Sequence, residues 1–154
     1  MKSFLTLVAG LAVSISALAA SLPYDETADA HAELQRGLRD ARSEDKDVLL
    51  VFGANWCQDC RELDKAIHGS SAQLIDARFV VVKVDVGNFD KNLDIAGAYG
   101  NPIQKGIPAA VVLTPGNKIV YSTGGGELSN ARHMGEHGIY DFFSRVISTH
   151  PKPQ

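Results

Sequence analysis

Residues Phe52 to Leu63 read FGANWCQDCREL, and they hold both cysteines of the 154-residue chain, Cys57 and Cys60. Just before them, KDVLLV is an unbroken apolar run, the pattern of a strand covered on both faces. Just after, CRELDKAIHG reads as a helix that begins at about Cys57 and stops at Gly69. The two sulfurs therefore stand at a strand-to-helix junction. In the first turn of a helix the backbone N–H groups lack partners and the helix dipole is positive, so thiolate is favoured over thiol. Cys60 lies one turn deeper on the same face, within reach of a mixed disulfide formed at Cys57. This geometry makes Cys57 the exposed attacking nucleophile and Cys60 the buried resolving thiol.

Two other uses of the sulfurs compete with a redox couple. A zinc site wants four ligands, and the chain offers neither a third cysteine nor a histidine pair of finger-like spacing near Cys57. A copper-handling chaperone needs only the two soft thiolates, and it stays as the alternative function. A structural staple across so short a loop would remove little chain entropy.

Trp56, directly before Cys57, is read as a partly exposed indole flanking the active sulfur. Asp59 puts a carboxylate between two sulfurs whose reactivity depends on forming an anion. At about 8 Å and an effective dielectric of ~20–40 it costs the thiolate roughly 1–2 kcal/mol. The helix N-terminus offsets about 0.3–2 kcal/mol of that. The balance predicts a thiolate only moderately favoured at neutral pH. A strong oxidant needs a heavily stabilised reduced thiolate, so the expectation is a reductant or isomerase.

Outward from this site, the N-terminal stretch MKSFLTLVAGLAVSISALAA carries Lys2 and an apolar run from Phe4 to Ala17. Ala17-Leu18-Ala19 fits the small-residue cleavage rule, which predicts a signal peptide over residues 1–19 and a mature domain over 20–154. The run is too short for a lasting membrane span. Export points to a bacterial periplasm or a similar oxidising space. A net charge of −3 and sparse aromatics set nucleic-acid binding aside.

The remaining pattern gives helix, strand, helix, strand, helix, hairpin, helix. Ala30, Leu34, Leu38 and Ala41 form one helical face, with Gly37 a weak point. SSAQLIDAR supplies a short helix, and Phe79–Val86, FVVVKVDV, is the strongest strand signal. A helix follows with Leu93, Ala96 and Tyr99 along one side and Gly100 stopping it. IPAAVVLTPGNKIVYST is a hairpin around Thr114–Asn117. Ile139, Phe142, Phe143, Val146 and Ile147 mark a core-facing C-terminal helix. The βαβ part implies a parallel strand pair, and the hairpin adds an antiparallel pair to one sheet.

The strand, ANWCxxC, helix, VVKVDV and YG…GIP together resemble the thioredoxin family over roughly Ala28 to Ile147. The stretch CRELDKAIHGSSAQLIDARFVVVKVDV is especially similar to periplasmic thioredoxin-like domains, including that of the bacterial transmembrane disulfide reductase. The resemblance implies an α/β thioredoxin fold with a central mixed sheet flanked by helices. It implies a thiol:disulfide oxidoreductase that needs no cofactor beyond its Cys57–Cys60 disulfide. Its partners would be protein or small-molecule disulfides and a membrane or soluble reductase as electron donor. It implies a cis bond between Ile107 and Pro108, which turns the Ile107 backbone toward the sulfurs to pair with a substrate peptide. It also aligns Gly124–Gly126 with a glycine near the active site.

The chain departs from the family in three ways. Val51 stands where many thioredoxins place a buried aspartate that serves the resolving thiol. Lys83 matches the lysine that accompanies that acid, with Asp85 two residues on along the same strand face. Asn101–Lys105 lengthens the loop before Pro108 by three residues, and GELSNARHM is an insertion before the last helix. Finally, His133–His137, HMGEH, matches an inverted zinc-peptidase motif. Gly135 weakens its helix, and the expectation is a chance match. His31, His68 and His150 are expected to face solvent.

Overall fold

The computed structural model describes residues 22–152, so the segment read as a signal peptide lies outside the described residues. Five α-helices and four strands alternate: α1 Ala30–Glu44, β1 Asp47–Gly53, α2 Gln58–His68, α3 Ala72–Arg78, β2 Phe79–Asp85, α4 Leu93–Ala98, β3 Ala109–Leu113, β4 Ile119–Ser122 and α5 Ala131–Thr149. A 3-10 turn, Pro102–Lys105, precedes β3. The sheet order is β2-β1-β3-β4. β1 runs parallel to β2 and antiparallel to β3, and β3 pairs antiparallel with β4. No helix among the described residues is long and apolar enough to cross a membrane.

β1 is central, and every one of its residues is buried. Because alternate side chains of a strand point to opposite faces, its apolar run feeds two cores. Val48, Leu50 and Phe52 pack with α1, α4 and the alternate residues Ala109, Val111 and Leu113 of β3. Leu49 and Val51 pack with α2, α3 and α5, including Leu63, Ile67, Ile75, Ile139 and Phe143. Both faces are covered, which explains the absence of alternation in KDVLLV.

Gly37 is more than a weak point in α1. A Cβ there would lie 2.2 Å from Val82 Cγ2, so glycine sets how closely α1 approaches β2. Asp29 caps α1, its side chain accepting from Ala32 N–H. The ion pair of Asp47 and Arg78, 2.8 Å apart and largely buried, ties the start of β1 to the end of α3.

Two sequence readings are corrected. Leu93 faces solvent rather than the core, and Ile95 and Ala96 are the buried residues of α4. α4 is a helix of less than two turns, so the apolar spacing was too short to fix its rotation. His150 is half-buried against the ring of Tyr121 at 5.5 Å, not solvent-facing.

Candidate active site

β1 delivers the chain to Gly53, and the turn Ala54–Trp56 leads into α2, with Cys57 N–H donating to Ala54 O at 3.1 Å. Cys57 is the N-cap of α2, and its Sγ accepts from Cys60 N–H at 3.1 Å. A sulfur at this cap thus takes one of the orphan donors of the helix start, the arrangement that stabilises a thiolate there. Cys57 and Cys60 are joined as a disulfide. Cys60 is fully buried, and Cys57 is only 5 % exposed, less open than its reading as the outer nucleophile implied.

The cover over Cys57 comes from a distant loop. The Ile107–Pro108 bond is cis. Ile107 O lies 3.7 Å from Cys57 Sγ, fifty positions away in sequence. Trp56 is 54 % exposed beside the sulfur, with its indole N–H donating to Gly87 O at 2.8 Å and its ring 6.3 Å from that of Phe89. Gly126 lets its loop seat against the segment before the cis bond, since a Cβ there would meet Lys105 O at 2.9 Å.

Around Cys60 the structure gathers groups that the sequence left scattered. Tyr24 is buried. Its hydroxyl and Cys60 Sγ crowd the same spot over Gly53, where a Cβ would meet them at 2.2 and 2.9 Å. Asn55 pins Tyr24 there, accepting from its N–H at 2.9 Å and donating to its carbonyl at 2.8 Å. Neither residue was legible as part of the site. The only sequence hint was the position of Asn55 in the turn before the cysteines.

Val51 is paired in register with Lys83, and the Lys83 ammonium ion-pairs with Asp64 rather than with Asp85. Asp64 lies on α2 one turn beyond Cys60. Asp85 instead accepts from Gly87 N–H at 3.1 Å and faces Lys91 at 3.4 Å. Burial pushes the Tyr24 hydroxyl far above its usual range, and the nearby charges of Asp64 and Asp85 act in the same direction. Tyr24 therefore stays a neutral hydroxyl. The acid that pairs with Lys83 is thus carried by helix α2 rather than by strand β1.

Asp59 is not a bare charge. Its Oδ1 accepts from Arg132 N–H at 2.9 Å and from Arg132 Nε–H at 3.2 Å, and the guanidinium also donates to Gln58 Oε1. Arg132, in the first turn of α5, thus holds both residues between the cysteines and supplies a counter-charge. The cost to a thiolate reckoned for an isolated carboxylate does not carry over.

The HMGEH histidines do not form a ligand pair. Gly135 breaks α5 with φ 65°, and the His137 side chain is 91 % exposed beside Asp141. Among the described residues no group of three or more His, Cys, Asp or Glu converges to hold a metal.

Residues 29–115 match a family model described as thioredoxin-like. The chain belongs to the thioredoxin-like family. A relative of known structure, a disulphide isomerase from Xylella fastidiosa Temecula1, is 53 % identical with a TM-score of 0.80. That similarity covers 83 % of this chain and 98 % of the relative. The thiol:disulfide interchange protein DsbD of Vibrio cholerae is 36 % identical over 55 residues, 35 % of this chain and 9 % of DsbD. A chloroplastic thioredoxin-like protein of Arabidopsis thaliana is 33 % identical over 92 residues, 58 % of this chain and 30 % of its own. The chain thus spans under a third of the length of either of these two. Within the family, a CxxC disulfide at a strand-to-helix junction is the arrangement of a thiol:disulfide oxidoreductase.

Proposed function

We propose that the protein reduces or isomerises disulfides in an exported, oxidising compartment. The observation that carries this reading is the Cys57–Cys60 disulfide at the start of α2, with Ile107 O 3.7 Å from the outer sulfur. In the dithiol state the Cys57 thiolate attacks one sulfur of a substrate disulfide. A Cys57–substrate bond forms, and the other substrate sulfur leaves as a thiolate. Cys60 then loses its proton and attacks Cys57 Sγ. The internal disulfide closes, the second substrate sulfur leaves, and two electrons have passed to the substrate. In isomerisation the released thiolate attacks another disulfide of the same polypeptide, and the thiolate freed there attacks the substrate sulfur bound to Cys57, so Cys57 leaves as a thiolate and net electron flow is zero.

Several side chains take roles in this cycle. Cys60 is buried, so water does not readily collect its proton, and Asp64 serves as the acceptor, with Lys83 as its counter-ion. Tyr24 packs beside Cys60 as a neutral hydroxyl. Trp56, Ile107 and Pro108 frame the approach to Cys57, and the Ile107 backbone offers a strand-like edge to a peptide. Asp59, neutralised by Arg132, positions the dipeptide between the cysteines.

The reducing or isomerising direction is supported by the disulphide isomerase similar to this chain over almost its whole length. It no longer rests on the charge of Asp59. The N-terminal apolar run followed by Ala17-Leu18-Ala19 supports export to a periplasm. After a reducing turn the protein is left oxidised, so it draws electrons from a membrane or soluble reductase.

Catalysed reduction of insulin disulfides by dithiothreitol tests the activity. Wild-type protein should accelerate it and Cys57→Ala should not. No acceleration by wild type, together with stoichiometric copper(I) binding lost in Cys57→Ser, would instead support a copper chaperone.

A further inference from the structure

Cys60 must become an anion while fully buried, and burial disfavours the charged form of a thiol. Its own backbone N–H is already given to Cys57 Sγ. A thiolate at this position therefore needs a hydrogen-bond donor from outside its helix turn. The segment Leu22–Asp29 ahead of α1 brings one, because it is fastened to the redox motif itself. Asn55, in the turn before Cys57, accepts from Tyr24 N–H at 2.9 Å. Its amide donates to Tyr24 O at 2.8 Å and to Glu26 Oε1 at 3.0 Å. Lys91 donates to Glu26 O at 3.3 Å, and Arg61, next to Cys60, donates to Asn55 O at 3.0 Å.

These bonds fix where the Tyr24 side chain starts, and Gly53 fixes where it ends. A Cβ on Gly53 would lie 2.2 Å from the Tyr24 hydroxyl oxygen, 2.6 Å from the ring carbon that bears it and 2.9 Å from Cys60 Sγ. Gly53 ends strand β1 without a left-handed φ, so this space explains the glycine and its backbone does not. Hydroxyl and sulfur share the room that a side chain would fill. The charged groups acting on Tyr24 are the carboxylates of Asp64 on α2 and Asp85 on β2, paired with Lys83 and Lys91.

We propose that Tyr24 is the thiolate-stabilising residue of the exchange, its hydroxyl donating to Cys60 Sγ whenever that sulfur carries the negative charge. The inference rests on the oxidoreductase reading and assigns a further residue to it. Tyr24 keeps its own proton, because burial and the two carboxylates hold the hydroxyl neutral. Two steps put charge on Cys60. In closing, Cys60 gives up its proton and its thiolate attacks Cys57 Sγ. The Cys57–Cys60 bond forms, the Cys57–substrate bond breaks, and the substrate sulfur leaves as a thiolate. In opening, a thiolate of a dithiol reductant attacks Cys57 Sγ. The Cys57–Cys60 bond breaks, and Cys60 leaves with the electron pair and then takes up a proton. A donor at Cys60 lowers both barriers. The disulfide and the dithiol with Cys60 protonated carry no charge on that sulfur, so the equilibrium between them is left where it was.

Tyr24→Phe keeps the ring and removes the hydroxyl. In Cys57→Ser protein, where Cys60 is the remaining thiol, adding Tyr24→Phe should raise the Cys60 pKa by about one unit, read from thiolate absorbance across pH. With both cysteines present, two rates should each fall roughly threefold, since exchange follows about half of a pKa change. They are closing at saturating peptide disulfide and opening by dithiothreitol. The first attack by Cys57 and the equilibrium with glutathione should match wild type. An unchanged Cys60 pKa, or opening and closing at wild-type rates, would overturn the role of Tyr24 and leave the oxidoreductase reading standing. Slowing together with a displaced glutathione equilibrium would make Tyr24 a packing residue and overturn the proposal too. A wild-type pair that dithiothreitol does not open would overturn both.

Discussion

Cys60→Ser protein should accumulate mixed disulfides with its substrates through Cys57, and Cys57→Ser protein should accumulate none. The asymmetry follows from position. Cys57 caps α2 and takes the Cys60 N–H on its sulfur, so it is the group set up to become a thiolate. Cys60 is sealed between Gly53, Tyr24 and the core, where no substrate sulfur reaches it. It can act only on a sulfur already attached to Cys57. Removing it leaves the first attack intact and stops the second. Turnover should fall on the order of a thousandfold, as when one member of a catalytic unit is deleted. Mass spectrometry after acid quenching should find each captured polypeptide joined to Cys57. Capture through Cys60 in the Cys57→Ser protein would reverse the assigned roles.

Asp64→Asn should slow the resolving step by about a hundredfold at neutral pH, the usual contribution of a positioned general base. The first attack should be nearly unaffected, so the transient mixed disulfide becomes visible in the variant and not in wild type. The pH profile separates proton transfer from a packing defect. Without the carboxylate, Cys60 must lose its proton to water or hydroxide, a route that quickens as pH rises. The deficit should therefore shrink as pH rises and widen as pH falls. A packing defect would slow the variant equally at every pH. Lys83 is partly exposed and can turn to solvent when its partner is lost, so the variant should fold. Stopped-flow quenching across pH measures both steps, and a deficit independent of pH would remove Asp64 from the mechanism.

The chain declared its strands and its sulfurs plainly, because those depend on local pattern. KDVLLV and FVVVKVDV became β1 and β2, and the cysteine spacing placed Cys57 at the start of α2. What local pattern could not reveal were pairings made across the fold. Lys83 looked like the partner of Asp85 because the two share a strand face, yet α2 packs over that face and brings Asp64 closer. Asp59 looked like a bare charge because Arg132 lies 73 positions away. Tyr24 and Asn55 meet over 31 positions, and nothing in either neighbourhood announces it. Val51 leaves no acid at its position on β1, and the carboxylate that pairs with Lys83 comes from α2. The extra residues Asn101–Lys105 form a compact 3-10 turn with Ile103 buried, which local pattern did not announce.

The direction of exchange needs its own experiment. Arg132 cancels the charge that argued for a weak thiolate, while the single N–H on Cys57 Sγ is modest stabilisation. The most direct measurement is the equilibrium of purified protein with reduced and oxidised glutathione, read by thiol alkylation and mass spectrometry. The expected result is one two-electron transition between the Cys57–Cys60 disulfide and the dithiol. Its potential should lie well below the value of about −120 mV typical of a strong oxidant. A pair that does not exchange, or that exchanges at such an oxidising potential, would contradict a reductant or isomerase built on Cys57 and Cys60.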